Sequence, residues 1–293
     1  MGIPISTVDA FTDTPFGGNP AAVCVLDQHE GRARDAAWMQ RVAGEMNLSE
    51  TAFVEPATTP GGEWHLRWFT PAAEVELCGH ATLASAHLLW ETRRAPGDRP
   101  LTFHTRHRGD LICRRLDDGR IAMDFPADTV ELDTPPPDRL LETLGLSEDR
   151  VEAVAEGRYD WLIELPSPAD VMGLRPDFAA LRRFDTRGVA VTAWVGDEGA
   201  TLTGAASQPH AAGKLKPDIV SRFFAPRLRI EEDPVTGSLH CLLGPYWRAK
   251  RGVDRLEAYQ ASPRGGHLGV VTHGDRVELI GQAVTVLRGE LTP

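Results

Sequence analysis

Two stretches of this chain repeat one another in kind. Arg67-Trp68-Phe69-Thr70-Pro71 ends a strand-like run, and Gly79, eight residues after the proline, opens an apolar helix that extends to about Trp90. Arg222-Phe223-Phe224-Ala225-Pro226 does the same, with Gly237 eleven residues after its proline and an apolar helix reaching Trp247. The copies are offset by 155 to 158 residues and keep the same order of aromatic run, proline, glycine and helix. Duplication accounts for that order better than coincidence, so the chain reads as two similar halves.

Both helices are apolar on most faces. Ala81, Leu83, Ala84, Ala86, Leu88 and Leu89 fill one, and Leu239, Cys241, Leu242, Leu243 and Tyr246 the other. A helix without a polar face has to be surrounded. Short strands with turn signals follow each helix: Asp117-Asp118-Gly119 precedes Ile121 to Phe125, and His273-Gly274-Asp275 precedes Val277 to Ile280. Loops that short join antiparallel neighbours. The expected class is therefore α+β, with a mostly antiparallel curved sheet wrapped around a central helix in each half.

Further expectations are local. Pro245 should kink or shorten the second helix. Ala36, Met39, Val42, Ala43 and Met46 recur at helical spacing and predict an amphipathic helix packed outside a sheet. Leu48-Ser49-Glu50 then interrupts before a strand at Thr51 to Val54. The Pro-rich, acidic stretch from Phe125 to Asp138 is the natural linker, and the domains are placed at 1–126 and 127–282.

At 293 residues, with 42% apolar and 25% charged residues, the chain has the composition of a folded globular protein. Its net charge of -11 argues against a nucleic-acid surface, which needs clustered Lys and Arg. No leader-like run opens it and no eighteen apolar residues occur in succession, so a cytoplasmic protein that neither spans nor binds a membrane is expected. Cys24, Cys78, Cys113 and Cys241 show no Cys-x-x-Cys spacing and the ten histidines no ligand spacing, so no metal is expected. Nucleotide-binding glycine motifs, H-E-x-x-H and G-x-S-x-G are missing as well.

Chemistry concentrates at the two helix starts. Cys78-Gly79-His80-Ala81-Thr82 and Asp233-Pro234-Val235-Thr236-Gly237-Ser238 each bring glycine and small polar residues to the opening turn of a buried helix. Helix N-termini offer N–H groups and the positive end of a dipole, which suits a carboxylate; Thr236 and Ser238 equally suit simple capping. Glu50, placed between a helix end and an apolar strand, is a candidate acid/base group if it is partly desolvated. His80 is a second candidate for proton transfer, and Asp233 for orienting it or holding a substrate amine. Asn19, in Phe16-Gly17-Gly18-Asn19-Pro20, either presents its amide to a ligand or shapes a turn. Pro263-Arg264-Gly265-Gly266-His267, a Gly-rich loop with a cation, reads as a surface connection in preference to the lining of a pocket.

Val8-Asp9-Ala10-Phe11, Gly18-Asn19-Pro20-Ala21, Met46-Asn47-Leu48-Ser49-Glu50-Thr51, Gly79-His80 and Asp233-Pro234-Val235-Thr236-Gly237-Ser238 resemble, in order, the motifs of the PhzF-like family of phenazine biosynthesis. The resemblance implies the diaminopimelate-epimerase-like fold, with two similar domains, a site in the cleft between them, and a strand at 283–293 able to return to the first domain. It implies a homodimer and a cofactor-free isomerase acting on a small carboxylate-bearing, cyclic amino-acid-like substrate. Glu50 would carry the proton; His80 and Asp233 would join it as catalytic groups. Asn19, Ser49, Gly79, Thr236, Gly237 and Ser238 would bind substrate. Related epimerases use a thiol at each helix start. Cys78 occupies the first such place but Pro234 the second, which argues against a two-thiol epimerase.

Overall fold

The computed structural model describes residues 2–26, 35–58, 63–196 and 216–292. The chain divides into two compact units, Met1–Phe125 with Leu279–Pro293, and Pro126–Glu278.

The first unit contains β1 (Ile3–Ala10), β2 (Asn19–Val25), α1 (Ala36–Met46), β3 (Glu50–Pro56), β4 (Trp64–Phe69), β5 (Glu74–Val75), α2 (Gly79–Glu91), β6 (Leu101–His104), β7 (Asp110–Arg115) and β8 (Ile121–Pro126). Strand β2 runs parallel to β3, as a connection through a helix allows, and β4 runs parallel to β6. The pairs β1–β2, β3–β4, β6–β7 and β7–β8 are antiparallel.

Helix α1 begins where the Asp35 carboxylate accepts the Ala37 N–H at 2.9 Å, and ends at Asn47 in the left-handed region with φ 48°. Its apolar face, Met39, Val42 and Ala43, is buried against Ala22, Cys24, Phe53 and Phe69. Each large side chain so buried contributes about 1.5–3 kcal/mol. The sharp end at Asn47 delivers the chain into β3 at Glu50. Helix α2 has no exposed face to speak of: ten of its 13 residues are buried.

The second unit contains β9 (Val130–Leu132), α3 (Leu140–Leu144), β10 (Ala153–Gly157), β11 (Asp160–Glu164), α4 (Pro168–Gly173), α5 (Phe178–Leu181), β12 (Gly188–Trp194), β13 (Ile219–Phe224), α6 (Gly237–Arg251), β14 (Arg255–Gln260) and β15 (Gly266–His273), and β16 (Arg276–Gly281) starts in it and ends in the first unit. Antiparallel pairs β9–β10, β10–β11, β12–β13 and β14–β15 alternate with parallel pairs β11–β12 and β13–β14. Helix α6 is the buried one. Gly244 lets it approach β15 closely, since a Cβ there would fall 2.6 Å from Thr272 Oγ1 and 3.0 Å from Val270.

Strand β17 (Ala283–Leu291) then pairs antiparallel with β1, from Ile3 opposite Leu291 to Ala10 opposite Ala283. Just before it, Gly281 leaves room for Phe11 and Leu83, whose atoms would lie 2.6 and 3.0 Å from an added Cβ. Sheets of mixed but mostly antiparallel strands with few helices give the α+β class that the sequence predicts. No described helix is long and apolar enough to cross a membrane.

The repeated aromatic runs have a structural basis. At the end of β4, Arg67 clamps Glu74 with two hydrogen bonds of 2.8 Å and lies 5.1 Å over the Phe69 ring. Arg222, at the end of β13, clamps Glu232 with bonds of 2.7 and 2.9 Å and lies 4.9 Å over Phe224. A bidentate guanidinium–carboxylate pair fixes orientation as well as distance. In each unit the clamp therefore fixes the segment leading from the strand to the buried helix.

Three local expectations are corrected. Helix α6 is not shortened by Pro245 but continues to Arg251. Proline removes the N–H that would bond the Cys241 carbonyl, and the Asp128 N–H supplies a bond to that carbonyl instead, at 3.0 Å. The Pro-rich stretch after Phe125 is no bare linker, because it holds β9, paired with β10. The glycine-rich segment at Pro263 to His267 is not a surface connection: Gly265 and Gly266 are buried. Gly265, with φ +64°, donates its N–H to Ser262 Oγ at 3.0 Å, and Ser262 in turn donates to the Pro234 carbonyl at 2.8 Å.

Candidate active site

In the first unit the site is built where β3 begins beside the start of α2. Glu50 is the first residue of β3, in register with Ala21 of β2, and its side chain is 15% exposed. His80, in the first turn of α2, is buried, and its Nε2 lies 3.2 Å from Glu50 Oε2. That approach lacks hydrogen-bond geometry. On the other side of the ring, Nδ1 lies 3.5 Å from the sulfur of Cys78. Thiol, imidazole and carboxylate thus form a short chain at the mouth of a helix.

Burial pushes the His80 pKa down to about 3. Desolvation disfavours the imidazolium, so the ring is neutral at pH 7 and its contact with Glu50 is not an ion pair. A neutral imidazole can accept a proton on one nitrogen and give one from the other. Cys78 occupies the N-cap position of α2 without a side-chain capping bond, so no side chain of that residue covers the opening amides.

Asn19 begins β2, two residues before the partner of Glu50, and is buried. It is set by the preceding turn, in which Gly18 adopts φ +60° and leaves no room for a Cβ, the Ala10 carbonyl lying 2.1 Å from where one would stand. The buried Asp9 carboxylate accepts the Phe16 N–H at 2.7 Å and holds the same turn. Ser49 is half-buried in the step between α1 and β3, and Gly79 opens α2.

In the second unit Asp233 and Thr236 come together before α6: the Thr236 hydroxyl donates to Asp233 Oδ2. Thr236 is the N-cap residue but makes no side-chain cap bond, so the simple capping expectation fails for it. Gln260 of β14 organises this turn. Its Oε1 accepts the Thr236 N–H at 2.9 Å, while its Nε2 donates to the Asp233 carbonyl at 2.8 Å and to Thr236 Oγ1 at 3.2 Å. Gly237 is buried and Ser238 half-buried in the first turn of α6.

The sequence reading missed Gln260 and Ser262, which sit far along the chain in a strand and its exit, without glycine or charge to mark them. It left Cys78 without a role, because contact with His80 depends on how α2 starts. Spacing cannot show this.

Comparisons with known proteins agree with the motifs. The family model described as "PhzC-PhzF: Phenazine biosynthesis-like protein" matches residues 8–289. A protein of Halalkalibacterium halodurans named as an uncharacterized isomerase is 45% identical over 291 residues, 99% of each chain. The crystal structure of a PhzF-family phenazine biosynthesis protein from Enterococcus faecalis superimposes with a TM-score of 0.84 at 37% identity, covering 100% of both chains. A hydroxyproline epimerase from Agrobacterium vitis, solved with bound trans-4-hydroxy-L-proline, shares the fold at a TM-score of 0.61 and 11% identity, over 99% of this chain and 90% of its own.

Proposed function

Since the chain belongs to the PhzC-PhzF family of phenazine biosynthesis-like proteins, we propose that it is an isomerase that moves a proton within a small carboxylate-bearing, cyclic amino-acid-like molecule. Glu50 is the carrier and no cofactor takes part. The ionised carboxylate takes a proton from carbon, the C–H electron pair moves into the adjacent π system, and the same proton returns to another carbon of that molecule. Atoms and oxidation level are unchanged, which is what an isomerisation requires.

The observation that carries this reading is the pairing of Glu50, at 15% exposure, with a neutral buried His80 only 3.2 Å away. A partly desolvated carboxylate beside a neutral imidazole is suited to general acid–base chemistry near neutral pH. His80 gives or accepts a hydrogen bond as charge shifts in the substrate. Asn19, Ser49 and Gly79 act as substrate-binding groups on the same unit. In the second unit, the opening turn of α6 at Thr236, Gly237 and Ser238 binds a carboxylate, and Asp233 holds an amine or hydroxyl. The relative named as an isomerase supports the reaction class. A two-thiol epimerase is disfavoured, because the turn before α6 carries Pro234 where a second thiol would stand.

The test is proton magnetic resonance in heavy water with wild type and Glu50→Gln, over a panel of cyclic and linear amino carboxylates. Solvent exchange or product formation that disappears in the variant, with ligand binding retained, is the expected result. Exchange that survives the substitution would remove Glu50 from the mechanism.

A further inference from the structure

We propose that Glu50, Cys78 and His80 form a binding site for a thiophilic divalent cation of the zinc class, and that the cation switches proton transfer off while it is bound. The second half rests on the isomerase reading; the first does not.

The donor set comes from geometry. One ligand atom from each of the three residues lies within 4.8 Å of the others, and among the described residues no other group of three such side chains does so. Cys78 and His80 are buried and Glu50 is partly exposed, which leaves one side open for entry. Nitrogen, sulfur and oxygen donors around one point, with a fourth position free, match the ligand types and count of open zinc sites. A thiolate selects Zn²⁺, Cd²⁺ or Co²⁺ over Mg²⁺ and Ca²⁺, which prefer all-oxygen shells.

An independent observation points the same way. His80 Nε2 is buried and makes no hydrogen bond. A polar atom left so is costly unless something supplies a partner. With the ion on Nε2, the Glu50 carboxylate already stands 3.2 Å from that nitrogen, close to the ~3.5 Å between donors that tetrahedral bonds of about 2.0–2.3 Å require, whereas the Cys78 sulfur now faces Nδ1 at 3.5 Å, on the other side of the ring. The ion takes Nε2 beside Glu50, and rotation of the short Cys78 side chain, whose sulfur lies within 4.8 Å of the other two donors, brings in the thiolate.

Charge and protons balance. Cys78 loses its thiol proton to solvent, Glu50 binds as carboxylate and His80 as neutral imidazole, so two negative charges meet one divalent cation. While the ion is bound, the Glu50 lone pair that would take the substrate proton is engaged. The spacing of 28 residues between Glu50 and Cys78 hides the site from any linear ligand motif.

Cobalt reports on this directly. The full chain is titrated with Co²⁺ and followed for thiolate-to-cobalt charge-transfer absorption, alongside Cys78→Ser and His80→Gln, both first checked for folding by circular dichroism. Expected are one Co²⁺ per chain, a thiolate band that Zn²⁺ displaces and excess Mg²⁺ does not, loss of that band in Cys78→Ser, and at least tenfold weaker binding in His80→Gln. Absence of the band in wild type, or a band that persists in Cys78→Ser, overturns the cation site. In a second arm, Zn²⁺ at saturation should suppress solvent exchange by wild type and a chelator should restore it. Exchange that zinc leaves unaffected overturns the switch, whereas a cobalt band in a protein that exchanges no substrate supports the cation site and tells against the isomerase reading.

Discussion

Arg222 grips Glu232 with bonds of 2.7 and 2.9 Å, one residue before Asp233, and its free nitrogen donates to the Leu174 carbonyl at 3.0 Å. The two side chains are 9% and 11% exposed, against 18% and 22% for Arg67 and Glu74. Removing one partner of a buried pair leaves the other without its counter-charge, which costs about 3–5 kcal/mol. Arg222→Ala should therefore lose that much stability in urea unfolding, and Arg67→Ala less, about 1–3 kcal/mol. Equal losses at the two positions would show that burial does not separate the clamps.

His80 should show no titration near neutrality. With its pKa held near 3 by desolvation, the ring stays neutral from pH 5 to 8. Imidazole nitrogen-15 chemical shifts are expected to be flat over that range, and the pH profile of kcat/KM should contain no limb near 6.5 that His80→Gln removes. A protonation step at pH 6 to 7 in the His80 signal would contradict the burial argument.

His240 makes the fold sensitive to acid. Its Nδ1–H donates to the Thr236 carbonyl at 2.8 Å, while Nε2 is buried without a partner, and burial holds its pKa down at about 4. The unfolded ring protonates near the ordinary value of 6.5, so the unfolded state binds the extra proton first as pH falls. Stability should be full above about pH 6.5, decline through the interval and flatten below about pH 4, a loss of roughly 3 kcal/mol at ~1.4 kcal/mol per pKa unit. Urea unfolding across that range, in wild type and His240→Asn, checks it: the variant should show a shallower decline.

Gln260→Leu should weaken ligand binding more than it unfolds the protein. The amide holds the Thr236 N–H and the Asp233 carbonyl, so its loss costs about 1–3 kcal/mol of stability and lets the turn before α6 relax. On the proposed function, calorimetry would show carboxylate affinity falling about tenfold, equivalent to ~1.4 kcal/mol, with the catalytic pair in the first unit untouched. Unaltered affinity would remove this turn from ligand recognition.

Much of this was legible in the chain itself, for reasons that differ by residue. The buried helices could be read because an apolar run with no polar face has one stable environment, and α2 and α6 occupy it. The end of α1 at Asn47 and the start of β3 were legible because helical spacing stops there. That Pro245 leaves α6 unshortened was not, since the bond to the Cys241 carbonyl comes from Asp128, a partner more than a hundred residues away. The strand β9 was hidden in a proline-rich stretch for the same reason: its pairing with β10 is tertiary. At the site, Glu50 and His80 carried signals in residue type and position, whereas Gln260 and the Cys78–His80 contact arise only once distant segments meet.

The pairing of β17 with β1 makes the first unit discontinuous, while the second is one unbroken run from Pro126 to Glu278. During synthesis β1 emerges with one edge bare and stays so until β17 follows the whole of the second unit. An unpaired edge of that kind is open to pairing with other chains. The first unit is thus closed only after the second has been made, and until then the bare edge of β1 is available to other chains.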